Sequence, residues 1–306
     1  MTRPGQRPRG AAFGRGHLLR YLNGPFSIQL STPLADVARL VTWSYGAAMD
    51  DSSTDDSPAH FNVTLRHRSL PRRLLAPQVM FQAEDSRPLA PFPRDHAFAL
   101  LEWGVNWCIA TRAHQYLMLH AGAVERDGRA LILPAMPGSG KSTLTAALIA
   151  RGWRLLSDEF GLLDHQSGRL HPLPRAIPLK NRSIDVIRRF WPDADIGPVF
   201  TRTRKGDVAH LRPPAASLIR QAEPADPAWI LFPQYVSGSP VQIGRQPQSQ
   251  VFTRLSQNAF NYNLLGAVGF RSLSALVRDC PCWSIRYGDL DAVIAAIGRL
   301  TGTDGS

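Results

Sequence analysis

Polar and apolar positions alternate with a period of two in FNVTL at 61–65 and in VMFQA at 79–83, which predicts half-buried strands. FSIQL at 26–30 reads as a further strand and 33–45 as a helix. After Pro91 and Pro93, Asp95 stands as a candidate N-cap. The run HAFALLEWGVNWCIA that follows is apolar nearly all round, predicting a buried helix with Trp103 and Trp107 in the core. DDSSTDDSP at 50–58 breaks every periodicity and reads as a solvated, turn-rich loop.

From Tyr116 the pattern changes. YLMLHAGAV, ERDGR and ALILPA form an apolar hairpin whose turn is Asp127-Gly128. Its second strand runs directly into PAMPGSGKST at 134–143. STLTAALIA continues with Leu144, Leu148 and Ile149 at helical spacing; Gly152 ends that helix, and WRLLS returns as a strand. A hairpin follows at 160–173 around Gln166-Ser167-Gly168. Then come a short helix at 184–190, strands at 208–212 and 228–236, and helices at 250–262 and 264–278. A strand (WSIRY) and a helix capped by Asp289 complete the chain. Strands alternating with helices predict an α/β sandwich with a mixed sheet. The chain divides into a basic, disordered tail at 1–22, an α+β region at 23–115 and an α/β domain at 116–302.

Composition narrows the class. The 306 residues are 44% hydrophobic and 19% charged, and no run reaches the roughly 18 to 20 apolar residues of a membrane span. The first twenty residues are rich in arginine but lack the apolar stretch of a secretory signal. Three cysteines, Cys108, Cys280 and Cys282, are too few for a disulfide framework and are expected as buried packing, which points to a reducing cytoplasm. The formal charge of +11 raises nucleic-acid binding. However, the excess is spread along the chain with no finger, helix-turn-helix or RNP-like pattern, so an anionic ligand is the better reading. Lysine is nearly absent: only Lys141, Lys180 and Lys205 occur. Lysine is the compact point charge suited to phosphate, so all three are candidate phosphate ligands.

The stretch at 135–142 has the eight-residue spacing of a phosphate loop, with Ala135 in place of the usual first glycine. Pro137, Gly138, Ser139 and Gly140 would let backbone N–H groups wrap a phosphate at a helix N-terminus. Lys141 would reach the β and γ phosphates of ATP, and Ser142, followed by Thr143, would ligate Mg²⁺. Seventeen residues beyond Lys141, the strand WRLLS ends in Asp158-Glu159. That strand is expected close to the one feeding the loop, which would bring both acids to the ligand-binding edge. One acid would take a proton and the other would help hold the metal. His120, in the hairpin strand before the loop, reads by itself as a core histidine.

The run LHAGAVERDGRALILPAMPGSGKSTLTAALIARGWRLLSDEFGLL resembles the catalytic core of HPr kinase/phosphorylase and its HPr kinase-like relatives. The matching positions are His120, Gly138 to Ser142, Arg151-Gly152 and Asp158-Glu159. The resemblance covers roughly 45 residues and implies a fold like that of the phosphoenolpyruvate carboxykinase group, with transfer of the ATP γ-phosphate to a serine. It implies Asp158 as general base, with His120 beside it, and Ser142 and Glu159 at the metal. The second acid is Glu rather than Asp, and the later Arg-Gly-Leu-Gly signature is replaced by PRAIPLKNRS, with Lys180 and Arg182. The first hundred residues do not resemble the regulatory domain of the full-length enzyme. The chain is thus similar to the HPr kinase-related group found with peptide-handling genes. The implied acceptor is another protein or a peptide, and the related enzymes are often oligomeric. TRTRKGDVAHLRPP at 201–214 reads either as a mobile basic loop that closes over phosphate through Lys205, or as a solvated one.

A protein or peptide serine/threonine kinase is therefore the first expectation. A small-molecule kinase and a non-catalytic, nucleotide-dependent regulator remain as alternatives. The chain has no LSGGQ-like motif of a transport ATPase and no NKxD guanine motif.

Overall fold

The computed structural model describes residues 16–49, 58–68, 77–134, 138–203 and 205–303. The tail at 1–15, most of the 50–58 loop and Ala135, Met136 and Pro137 of the glycine-rich loop lie outside the described residues. The architecture is α/β with mixed sheets.

The first sheet has five strands in sequential order: β1 (His17–Asn23), β2 (Phe26–Thr32), β3 (Phe61–His67), β4 (Gln78–Ala83) and β5 (Phe92–Pro93). α1 (Ala35–Tyr45) is the crossover that lets β2 and β3 run parallel. The strand β1 corrects the expectation that residues up to 22 form a disordered tail. Its seven residues pair with β2 around the Gly24 turn, and Tyr21 is fully buried, stacked on Tyr45 with ring centroids 4.9 Å apart.

α2 (Ala97–Arg112) packs so closely on β4 that a Cβ on Gly104 would lie 2.4 Å from the Phe81 ring. Trp103 does not join the core: it is 46% exposed, with its ring against Phe92, while Trp107 is partly buried at the core margin. Asp95 does not cap the helix. It lies in a short 3-10 turn at Arg94–His96, and the N-cap position falls on His96 without a side-chain bond.

The second sheet is built on β6 (Tyr116–Arg126) and β7 (Arg129–Pro134), joined by the Asp127-Gly128 turn with both φ angles positive, as a tight hairpin requires. β7 is central and buried on both faces, its residues alternating between two cores. Leu131 and Leu133 meet α3 (Lys141–Ala150) and α9 (Leu290–Thr301), whereas Ala130 and Ile132 face α6 (Gln248–Gln257) and α8 (Ala267–Asp279). β14 (Asp226–Tyr235) runs parallel to β7, and β16 (Cys282–Tyr287) parallel to β14. At the other edge of β6 lie β9 (Phe160–Asp164), paired with its first half, and β8 (Arg154–Ser157), paired with its second half. β8 and β7 thus flank β6, which lies between them. Since β6 is antiparallel to both, the two strands still end at one edge of the sheet.

No break in packing occurs at residue 115. Tyr116, Met118, Phe160 and Leu162 belong to the core of the first sheet. A third, three-stranded sheet consists of β11 (Ile177–Lys180), β13 (Gly206–Leu211) and β12 (Phe200–Thr203). On β13, His210 is buried between Phe98 and Phe200, and burial pushes its pKa from 6.5 down to about 4. Its neutral form is favoured in the fold, so the stability tied to it is present above pH 6.5 and lost as pH falls toward 4. We expect about 3 kcal/mol of acid-dependent destabilisation from this ring. Denaturant midpoints of the wild type and His210→Leu at pH 7 and pH 4.5 check this: the variant should lose clearly less stability on acidification.

Cys108, Cys280 and Cys282 are free and buried. Burial raises the Cys280 thiol to about 12, and Cys282 donates to the Cys280 carbonyl at 3.1 Å. Among the described residues no helix is long and apolar enough to cross a membrane.

Candidate active site

β7, β8, β14 and β16 end at the same edge of the sheet, at Pro134, Ser157, Tyr235 and Tyr287. The glycine-rich turn lies there. Gly138 and Gly140 have φ of 86° and 89°, a region that side chains strain, and Gly140 is the N-cap of α3. Lys141, Ser142 and Thr143 form the first turn of that helix, so its free N–H groups point toward the turn. Gly122 lets α3 approach β6: a Cβ there would lie 2.6 Å from Thr145 Oγ1 and 3.4 Å from Lys141 Cγ.

The acids are placed by a kink. β8 and β9 pair with the same long strand, and the step between them is Asp158-Glu159. The Ser157 hydroxyl accepts from the N–H groups of Glu159 at 3.2 Å and Phe160 at 3.0 Å, fixing that step. Asp158 is buried; its Oδ2 accepts from Ser142 Oγ at 2.7 Å and its Oδ1 lies 3.3 Å from Lys141 Nζ. Lys141 Nζ also donates to the Asp158 carbonyl. Glu159 points the other way, with Oε1 3.6 Å from His120 Nε2, and is 38% exposed.

His120 is thus not a core histidine. It is held by Asn258, whose carbonyl accepts from the His120 N–H at 3.0 Å and whose amide donates to the His120 carbonyl at 2.8 Å. Desolvation lowers its pKa, Glu159 opposes that shift and Lys141 adds to it, so the ring is neutral near pH 7. Phe260 covers the ring edge-on at 5.4 Å.

The remaining lysines come to the same place. Lys180 ends β11, and its pKa is lowered by desolvation and then by Lys205, with Glu159 and Asp158 opposing and Lys141 adding. Asn181, at φ 50°, staples the pair: its Oδ1 accepts from the Asp207 N–H at 3.0 Å and its Nδ2 donates to the Lys205 carbonyl at 3.4 Å. Gly206 is required there, since a Cβ would sit 2.2 Å from Asn181 Oδ1. The segment at 201–214 is a hairpin of β12 and β13 rather than an irregular loop. It rests on the N-terminal region through Phe200 on Phe98 and His96 Nε2 3.0 Å from the Thr201 carbonyl, and in the segment before it Asp195 accepts from Trp43 Nε1 at 3.0 Å.

Lys141, Ser142, Asp158, Glu159 and His120 are thereby brought together by contacts, whereas Lys180 and Lys205 belong to the three-stranded sheet and its hairpin, and Pro137 lies outside the described residues. One expected pairing is exchanged: Ser142 meets Asp158, not Glu159. Ser157, Asn181, Asn258, Tyr235 and Tyr287 were not legible as site residues. A serine two residues before an acid at a strand end is the local signal that would have found Ser157.

Ser142 and Asp158 offer the hard oxygen donors that Mg²⁺ prefers, and Asp158 Oδ1 is buried without a hydrogen-bond partner. Among the described residues no three His, Cys, Asp or Glu side chains gather to hold a metal alone. Mg²⁺ in nucleotide sites takes one or two carboxylates and the substrate's own phosphates, so this pair fits it. No protein-family model matches the chain, and no curated protein matches it in sequence.

Proposed function

We propose that this chain is a Mg²⁺-dependent ATP kinase that transfers the γ-phosphoryl group to a hydroxyl of a protein or peptide. The observation that carries the reading is the convergence at one sheet edge of Lys141 and Ser142 on Asp158, with Glu159 facing His120 beside them. The resemblance of residues 119–163 to HPr kinase-like enzymes points the same way, and the implied phosphoenolpyruvate carboxykinase-like core belongs to this proposal.

Roles follow from contacts. The N-terminus of α3 and Lys141 bind the phosphates. Ser142 and Asp158 would hold Mg²⁺, which neutralises phosphate charge when bound. Glu159 and neutral His120 are the groups free to take the proton of the attacking hydroxyl. The acceptor oxygen bonds to the γ-phosphorus as the bond to ADP breaks, and Lys180 and Lys205 stabilise the charge on the moving group. Asp158 is less suited to be the base that the resemblance implies, because both its oxygens already face Ser142 and Lys141.

The test is γ-labelled ATP with Mg²⁺, the purified protein and a source lysate split into protein and small-molecule fractions. We expect acid-stable label in a protein or peptide, since serine and threonine esters survive acid. Label confined to small molecules would replace this reading with a metabolite kinase. No transfer to either fraction, with ATP still bound, would make the chain a nucleotide-controlled binding protein.

A further inference from the structure

The strand order dictates how a nucleotide lies on the glycine-rich turn. Asp158 and Lys141 mark the side of the terminal phosphate, and β8, which delivers Asp158, lies to one side of β7 beyond β6. β14 and β16 lie on the opposite side. A nucleotide whose γ-phosphate faces Asp158 therefore extends its ribose and base toward the end of β14.

Tyr235 stands at that end. It is the last residue of β14 and is 49% exposed, although its backbone is held: its N–H donates to the Ser139 carbonyl of the turn at 2.9 Å. The contact with the turn is intimate. A Cβ on Gly140 would lie 2.9 Å from Tyr235 Cβ and 2.9 Å from Tyr287 Oη. Tyr287 is buried and backs Tyr235 edge-on, with centroids 5.8 Å apart at 70°. The chain beyond Tyr235 is equally constrained: Val236 donates to the Tyr287 carbonyl at 2.8 Å and Ser239 to the Val236 carbonyl at 3.0 Å. Gly288 is needed under this turn, since its Cβ would come within 2.7 Å of the Val236 carbonyl oxygen. An exposed aromatic ring on a held backbone, one hydrogen bond from the phosphate-binding turn, has the properties of a stacking platform.

We propose that Tyr235 is the surface on which the purine base stacks; this rests on the Mg-ATP reading above. QYVSGSP at 234–240 contains no carboxylate to accept the N–H groups of guanine. The platform therefore grips adenine and guanine alike, through the ring face rather than the base edge.

Calorimetric titration with Mg²⁺ and ATP, GTP or inorganic tripolyphosphate tests this on the wild type, Tyr235→Ala and Tyr235→Phe. Tyr235→Ala should weaken ATP and GTP about tenfold each and leave tripolyphosphate within about twofold, while Tyr235→Phe should bind all three like the wild type. Unchanged ATP affinity in Tyr235→Ala would overturn the platform. An equal loss for tripolyphosphate would do the same, because Tyr235 would then act only through the shape of the turn. If the wild type binds tripolyphosphate as tightly as ATP, the base is not gripped and the platform falls while the phosphate site stands. If it binds none of the three, the Mg-ATP reading falls with it.

Discussion

Glu159→Gln should abolish phosphoryl transfer, lowering its rate on the order of a hundredfold or more, while Mg-ATP affinity stays within a few-fold of the wild type. Glu159 faces His120 and the accessible side of the site, with no contact to Ser142 or Lys141 among the described residues. Its amide would keep the shape and lose the charge that draws the proton from the acceptor. Asp158→Asn should behave differently, because Asp158 touches both Lys141 and Ser142, the residues proposed to bind phosphate and metal. Its transfer defect should come with a raised Mg²⁺ requirement. The pH profile carries the same signature. His120 is held neutral below its ordinary 6.5 by desolvation, so transfer should persist into mildly acidic buffer and fall only as that ring protonates. Transfer rates into the labelled protein fraction, measured from pH 5 to 8 and, for Asp158→Asn, across a Mg²⁺ titration, check the rate statements, and ATP titration checks the affinity.

Arg175→Met should be the most damaging single change to stability, at about 3–5 kcal/mol, because it strands a buried carboxylate. Glu102 on α2 and Arg175, just before β11, are both buried, and Arg175 donates to Glu102 Oε2 and to the Glu102 carbonyl, each at 2.7 Å. Tyr45 donates to both Glu102 oxygens, at 3.0 and 2.9 Å. Without the guanidinium, Glu102 would keep only the tyrosine hydroxyl. The triple variant Tyr45→Phe/Glu102→Leu/Arg175→Met removes the buried carboxylate with both its partners, leaving only the half-buried Asn106, which accepts from Arg175 at 2.5 Å, to turn to water, and should recover most of the loss. A denaturant midpoint shift at constant slope measures both effects. A loss under about 1 kcal/mol for Arg175→Met would show that Glu102 reaches water or another partner. The network also ties the N-terminal helices to the segment that leads to Lys180, which gives the first region a structural part in shaping the site.

What the sequence made legible was local. Asp127-Gly128 specified its hairpin, Asp289 capped the last helix by accepting from the Ala292 N–H, and the glycine-rich turn sat between a strand and a helix as its spacing required. What it hid was set by distant partners. Nothing local says that the eleven residues of β6 serve β9 and then β8 along one edge, which is what inserts β6 between the acids' strand and β7. The side chains of Ser142 and Asp158 meet through that topology, so which of the two acids faces Ser142 could not be read from adjacency alone. Trp103 misled for a related reason: its helix is apolar on most sides, yet Trp103 lies against Phe92 of the short edge strand β5 and stays 46% exposed. Lys180 and Lys205 stood out only by their rarity. The staple that joins them, Asn181 against Gly206, depends on a backbone conformation that asparagine tolerates better than most residues.

If the glycine-rich turn and the acid pair form one Mg-ATP site with divided labour, Mg²⁺-dependent ATP binding is the measurement that tests it most directly. The wild type, Asp158→Asn and Glu159→Gln would each be titrated with ATP in excess Mg²⁺ and again in EDTA. The account predicts that Mg²⁺ tightens ATP binding in the wild type and in Glu159→Gln, and that most of this gain disappears in Asp158→Asn. A gain lost in Glu159→Gln and kept in Asp158→Asn would contradict it, returning the metal to Glu159 and the proton to Asp158.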